Sequence, residues 1–159
     1  MFYAINILSW VKGVLCVSGY SAFDARGVSV IDHGSITFPD VFRDTGEYNI
    51  TTGMFTCSIP GFYWFSATIG YNTSLQNSLR EYNGTSCYFL FNDSEYLQLV
   101  AFFASSTVSF VAAMSEGDQL RIGHCYNTTN IANDSKTHFS GMLIRTFDDI
   151  EGKACSGDI

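Results

Sequence analysis

No stretch of this chain keeps a helical period for three turns. Its apolar residues come in short alternating runs, broken by Gly, Asn, Asp and Pro. A period of two sends successive side chains to opposite faces, so such runs bury one face only as strands. In Met54-Phe-Thr-Cys-Ser-Ile, residues Phe55, Cys57 and Ile59 share one face, and Met54, Thr56 and Ser58 the other. Pro60-Gly61 then reads as a type II turn, with Pro setting φ and Gly taking the positive φ. Further runs are Val28-Ser-Val-Ile, Ser35-Ile-Thr-Phe, Phe62-Tyr-Trp-Phe-Ser-Ala-Thr-Ile, Tyr88-Phe-Leu-Phe, Gln119-Leu-Arg-Ile-Gly-His and Phe139-Ser-Gly-Met-Leu-Ile-Arg. Many short strands at even spacing predict an all-β sandwich or jelly roll. A length of 159 residues predicts one domain.

Apolar residues make up 47% of the chain and charged residues 14%, which supports a packed core. The 14 Phe, 9 Tyr and 2 Trp suit sheets, where large rings pack across thin layers. Most of these rings read as core packing. A net charge of −7 leaves no basic footprint for nucleic acid and disfavours anionic membranes. Residues 96–115 carry no charge and are long enough to cross a membrane. Ser105-Ser-Thr interrupts them midway, so they read as two strands about a turn, a buried hairpin rather than a membrane span.

Compartment is legible from asparagine. With 9 Asn and 31 Ser plus Thr, chance gives about two N-x-S/T sequons. Six occur, at Asn49, Asn72, Asn83, Asn92, Asn127 and Asn133, which predicts a secreted, extracellular glycoprotein. Residues 1–19 read either as a signal peptide or as an N-terminal extension: the stretch is apolar, but Lys12 interrupts it and no positive charge stands near Met1. Residues 148–159 read as a flexible tail. The five cysteines, at 16, 57, 87, 125 and 155, form no CxxC, and their odd number leaves at least one unpaired or intermolecular.

Catalytic readings find little support. No G-x-S-x-G, G-x-G-x-x-G or G-K-[ST] string occurs. His33 sits in a turn, alternation sends His124 and Cys125 to opposite faces, and His138 enters a core strand. The acids cluster only as loop and tail charge, so no carboxylate pair for glycoside hydrolysis is evident. A protein that is not an enzyme is expected, with no cofactor.

The stretch 48–66, YNITTGMFTCSIPGFYWFS, resembles the globular head domain of the complement C1q family. Tyr48, Asn49, Thr52, Gly53, Phe55, Cys57, Pro60, Gly61, Tyr63 and Phe65 match its hallmark. Phe23 within Ser21-Ala-Phe-Asp-Ala, Phe42, the Gly117-Asp118 turn, and Phe139 with Gly141 in Phe139-Ser-Gly-Met-Leu match its other motifs in order. The resemblance covers about residues 20–147, without a collagen stalk in this chain. It implies a ten-stranded jelly roll of the C1q and tumour-necrosis-factor kind, assembled as a homotrimer. Family heads often hold calcium with an Asp where this chain has Phe103-Ala104, so the resemblance leaves calcium in doubt. The family's usual partner of Cys87 is missing as well, which points to a Cys87–Cys125 disulfide and leaves Cys57 a buried free thiol.

The implied function is multivalent recognition of a microbial surface or glycan in innate immunity. The alternatives are a trimeric signalling ligand for a protein receptor and an extracellular structural protein. Candidate ligand residues lie in the loops 71–86 and 92–96: Tyr71, Arg80, Tyr82, Asp93, Glu95 and Tyr96. Glycans at Asn72, Asn83 and Asn92 could equally shield those loops. Any anionic ligand would need a local basic group such as Arg80, given the acidic balance of the chain.

Overall fold

The computed structural model describes residues 19–30, 34–72, 84–101, 105–133 and 136–150. Cys16, His33, Arg80, Tyr82, Asn83, Phe103, Ala104 and Cys155 therefore lie outside the described residues, as do residues 1–18 and 151–159. Among the described residues twelve strands follow one another: β1 (Ala22–Arg26), β2 (Ser29–Val30), β3 (Ile36–Thr37), β4 (Asp40–Asp44), β5 (Tyr48–Asn49), β6 (Met54–Thr56), β7 (Gly61–Ile69), β8 (Thr85–Phe91), β9 (Ser94–Ala101), β10 (Ser106–Met114), β11 (Gln119–Tyr126) and β12 (His138–Thr146). Ten of them form two five-stranded sheets, a front sheet β10-β7-β12-β1-β4 and a back sheet β5-β6-β11-β8-β9. The strands β2 and β3 make a separate ribbon. The predicted ten-stranded jelly-roll sandwich is thus the observed one.

Rings from both sheets fill the space between them. Phe23 of β1 stacks on Tyr48 of β5 at 5.0 Å and lies 5.3 Å from Phe55 of β6. Phe139 of β12 meets Phe23 edge-on at 4.7 Å and Phe89 of β8 at 5.9 Å. Phe65 of β7 meets Phe55 edge-on at 5.4 Å. These six rings are at most 5% exposed. Gly141 explains itself here: a Cβ would stand 2.6 Å from atoms of both Phe23 and Phe65, so only a residue without one lets the rings pass. The Tyr48 hydroxyl accepts the buried Phe38 N–H at 3.1 Å, and burial pushes its pKa up to about 12.

Several expectations are corrected. Gly61 does not take a positive φ. It opens β7 against β12, where a Cβ would sit 2.3 Å from the Arg145 carbonyl oxygen, so close approach rather than turn geometry demands it. The uncharged stretch 96–115 does form two strands, but not a buried hairpin: β9 edges the back sheet and β10 the front sheet. On β10, Thr107, Ser109, Val111 and Ala113 face solvent. Phe42 belongs to the family pattern but not to the core; it is 68% exposed on β4. All five residues of β4 are exposed, so the strand lacks the alternation that would have announced it.

Cys87 of β8 and Cys125 of β11 are joined by a disulfide across neighbouring strands. Cys57 is free and buried, and burial raises its pKa, so it is held as an inert thiol. Replacing Phe139 by Ala should lower the unfolding free energy in urea by about 3–5 kcal/mol. Tyr48→Phe keeps the ring and strands only the Phe38 N–H, so its cost should be smaller, about 1–3 kcal/mol. Equal costs would mean that the ring contacts do not dominate.

Candidate functional site: the outward face of the front sheet

On β7, Tyr63, Phe65, Ala67 and Ile69 point into the core, which turns Phe62, Trp64, Ser66 and Thr68 outward. Antiparallel register extends these into rows across the sheet. Ala22, Met142, Trp64 and Val111 stand side by side. The next row is Asp24, Ser140, Ser66 and Ser109, and the third is Arg26, His138, Thr68 and Thr107. One part of the face is therefore apolar and the rest polar. Val111 is 51% exposed and Met142 46%. Such rings and methyls stay in water only at a cost that a partner surface removes.

The polar rows are bonded to one another. The Ser109 hydroxyl donates to Ser66 at 2.8 Å, and the Thr68 and Thr107 hydroxyls share a 2.7 Å hydrogen bond. His138 Nε2 lies 3.3 Å from Thr68 Oγ1. The Thr68 hydroxyl is buried and already shared, so His138 has no open nucleophile there to activate. Burial lowers the His138 pKa below its ordinary 6.5; Arg26 acts in the same direction and Asp24 against it.

Toward β4 the face deepens into a groove of about 730 Å³. Arg26, paired with Asp24 at 3.3 Å, lies over the Phe42 ring at 4.3 Å from its centroid. Arg43 donates to the Tyr20 hydroxyl at 3.2 Å. A second groove, of about 680 Å³, runs along β5 and β6 past Glu47, Asn49, Ser58 and Glu116. Its charged side chains are carboxylates, and Ser58 donates to Glu47 at 2.7 Å.

The candidate ligand residues fall elsewhere, and the fold separates them. Asp93, Glu95 and Tyr96 share the β8–β9 hairpin. Arg121 donates to Asp93 at 2.9 Å, and His124 Nδ1 lies 2.8 Å from Glu95. Tyr96 is 52% exposed and leans on Phe110 at 5.3 Å. Tyr71 is half-buried at the other end of the sandwich, bridged to Ile131. Simple alternation fails at His124, where the backbone turns left-handed at φ 48 and the β11 register shifts. The described sequon residues lie off the front-sheet rows: Asn49, Asn92 and Asn133 are exposed, Asn72 and Asn127 half-buried. Asn92 donates to Asp118 at 2.9 Å, and Asn127 to the Gly84 carbonyl at 3.0 Å.

Reading the sequence by loops missed the front-sheet face. A signal was present: the first half of β7 and the middle of β12 are apolar on both faces, as strands covered on both sides are. Arg26 and Arg43 gave none, because only the β1–β4 pairing brings them to one groove.

The two stacked sheets place the chain among jelly-roll proteins of the C1q and tumour-necrosis-factor type. The globular domain of zebrafish complement 1qA superposes with a TM-score of 0.57 at 19% identity, covering 80% of this chain and 99% of that one. Murine APRIL gives 0.58 at 10% identity, with 79% and 100% covered. Pika GITRL gives 0.56 at 8%, with 80% and 98% covered. The C1q domain family matches over residues 21–144, and the chain belongs to that family. No curated protein matches it significantly. Among the described residues no helix is long and apolar enough to cross a membrane.

The depressed His138 pKa fixes a sign. The fold holds the neutral imidazole better than the unfolded chain does, so stability from this group is complete above about pH 6.5 and falls as pH drops below it. His138→Gln should flatten that acid limb in urea titrations at successive pH values; an unchanged limb would assign it to another group.

Proposed function

We propose that this chain is a secreted, glycosylated C1q-type recognition module. It assembles as a homotrimer through the outward face of its front sheet and binds ligands multivalently, in innate recognition of microbial surfaces or glycans. The carrying observation is the apolar row Ala22, Met142, Trp64 and Val111, in which Met142 and Val111 stand exposed and Trp64 half-exposed in the single chain. Its neighbours on β12 and β7, exposed Ile144 and half-buried Phe62, widen the patch. Three joined copies of a weak site raise avidity by about 10²–10⁴ without any new contact. The module performs no chemistry.

With the front sheet covered, the β8–β9 hairpin and back-sheet surface remain for ligand. Asp93 and Glu95, paired with Arg121 and His124, alternate charge beside the exposed Tyr96 ring. Rings and paired polar groups suit sugar faces and hydroxyls. A protein receptor is the second reading, and the comparable superposition on APRIL and GITRL favours it.

Met142→Asp puts a carboxylate into the apolar row at an exposed position. Light scattering should show trimers for the natural chain and single chains for this variant, with unchanged circular dichroism. A natural chain that runs as a monomer would sink the assembly reading. For the ligand, Tyr96→Ala should reduce glycan-array signal at least tenfold; nanomolar binding to one receptor without glycan signal would favour the alternative.

A further inference from the structure

We propose that His138 makes this assembly pH-sensitive: the copy seated on the front sheet covers a neutral imidazole, and protonating that imidazole releases the copy. The inference rests on the assembly reading above and concerns its regulation.

The geometry puts His138 within reach of the covering copy. A stable interface takes about 800 Å² from each partner, a patch of about 16 Å radius if round. Centred on the apolar row, it extends across the polar rows, since each row lies two residues along the strands, about 7 Å, from the last. His138 is two rows from Met142, about 14 Å. It is only half-buried in the single chain, so a second copy removes the water that solvates it.

Its surroundings decide which protonation state tolerates that burial. On β7 and β10 it faces the hydroxyls of Thr68 and Thr107, which accommodate a neutral ring. On β1 it stands opposite Arg26, with Asp24 in the next row. Asp24 is already paired with Arg26. On β4, Asp40 lies opposite Arg26, while Arg43 and Tyr20 line the same groove as His138. An imidazolium would be added where the carboxylates of Asp24 and Asp40 already stand opposite the guanidiniums of Arg26 and Arg43, in a space being emptied of water. Burying a charge without a dedicated partner is costly, and the cost recurs in every copy. The assembled state therefore binds fewer protons than the free chain. Assembly is complete above the free chain's His138 pKa and weakens as pH falls through and below it.

The other histidine described, His124, serves as the internal control. It sits on the back sheet, its Nδ1 2.8 Å from Glu95, off the proposed interface.

Sedimentation velocity on the full chain between about pH 8 and about pH 5 tests the proposal. The natural chain and His124→Gln should both be assembled at the upper end and dissociate on acidification. His138→Gln should remain assembled to at least about one pH unit lower. A natural chain that stays assembled throughout, or a His138→Gln variant that dissociates at the natural midpoint, overturns the inference while leaving the assembly reading intact. Single chains at the upper end overturn the assembly reading itself, and this inference with it. In case the variant fails to fold, an NMR titration of the natural chain gives an independent answer. The His138 ring should titrate with the dissociation midpoint, and titration well apart from it overturns the proposal.

Discussion

Two thin sheets hold together because the rings of one reach those of the other. Phe23, Phe65 and Phe139 come from the front sheet, and Tyr48, Phe55 and Phe89 from the back sheet. Each ring buries a large apolar area, and edge-on and stacked contacts add to that burial. Among the described residues no helix contributes to this core. Everything that positions the surface depends on it: Gly141 is bare so that Phe23 and Phe65 can pass, and the outward register of β12, hence Met142 and His138, follows from that fit.

The same strands carry the proposed function on their other side. Because alternation is strict on β7, a core of Tyr63, Phe65 and Ala67 obliges Trp64, Ser66 and Thr68 to face out. The outward rows grade from apolar to hydroxyl-lined to charged within three steps along the strands. An apolar row beside bonded hydroxyls is the surface on which the proposed assembly rests. The back sheet is the contrasting face. Its Asp93–Arg121 and Glu95–His124 pairs are wet and weak as stabilisers.

Much of the fold was legible in the residues and much of the site was not. Strands with apolar alternation, such as Met54–Thr56, announce themselves, whereas β8 begins at Thr85, inside the stretch 71–86 that reads as a loop. The β4 strand, Asp-Val-Phe-Arg-Asp, does not, because an exposed edge strand has no buried face to impose a period. Phe42 fits the family pattern yet lies in water under Arg26, since matching a motif says nothing of which way a ring turns. Asp93, Glu95 and Tyr96 read as one loop in the sequence, but only Asp93 lies in the turn; Glu95 and Tyr96 stand on β9. Their partners Arg121 and His124 arrive from β11, more than two dozen residues along the chain, and no local pattern foretells that pairing.

What the chain's order of residues determined by itself was local: the period of two, the turns at Thr52-Gly53 and Gly117-Asp118, the sequons and the family membership those motifs imply. Each of these depends on neighbours within a few positions. What only the tertiary structure decided was which distant strands lie side by side. That choice set Arg26 beside Phe42, aligned Ala22 with Met142, Trp64 and Val111, and put His138 against Thr68. The reason is that register follows from how the rings of two sheets fit between them, a condition on the whole core that no short segment can state.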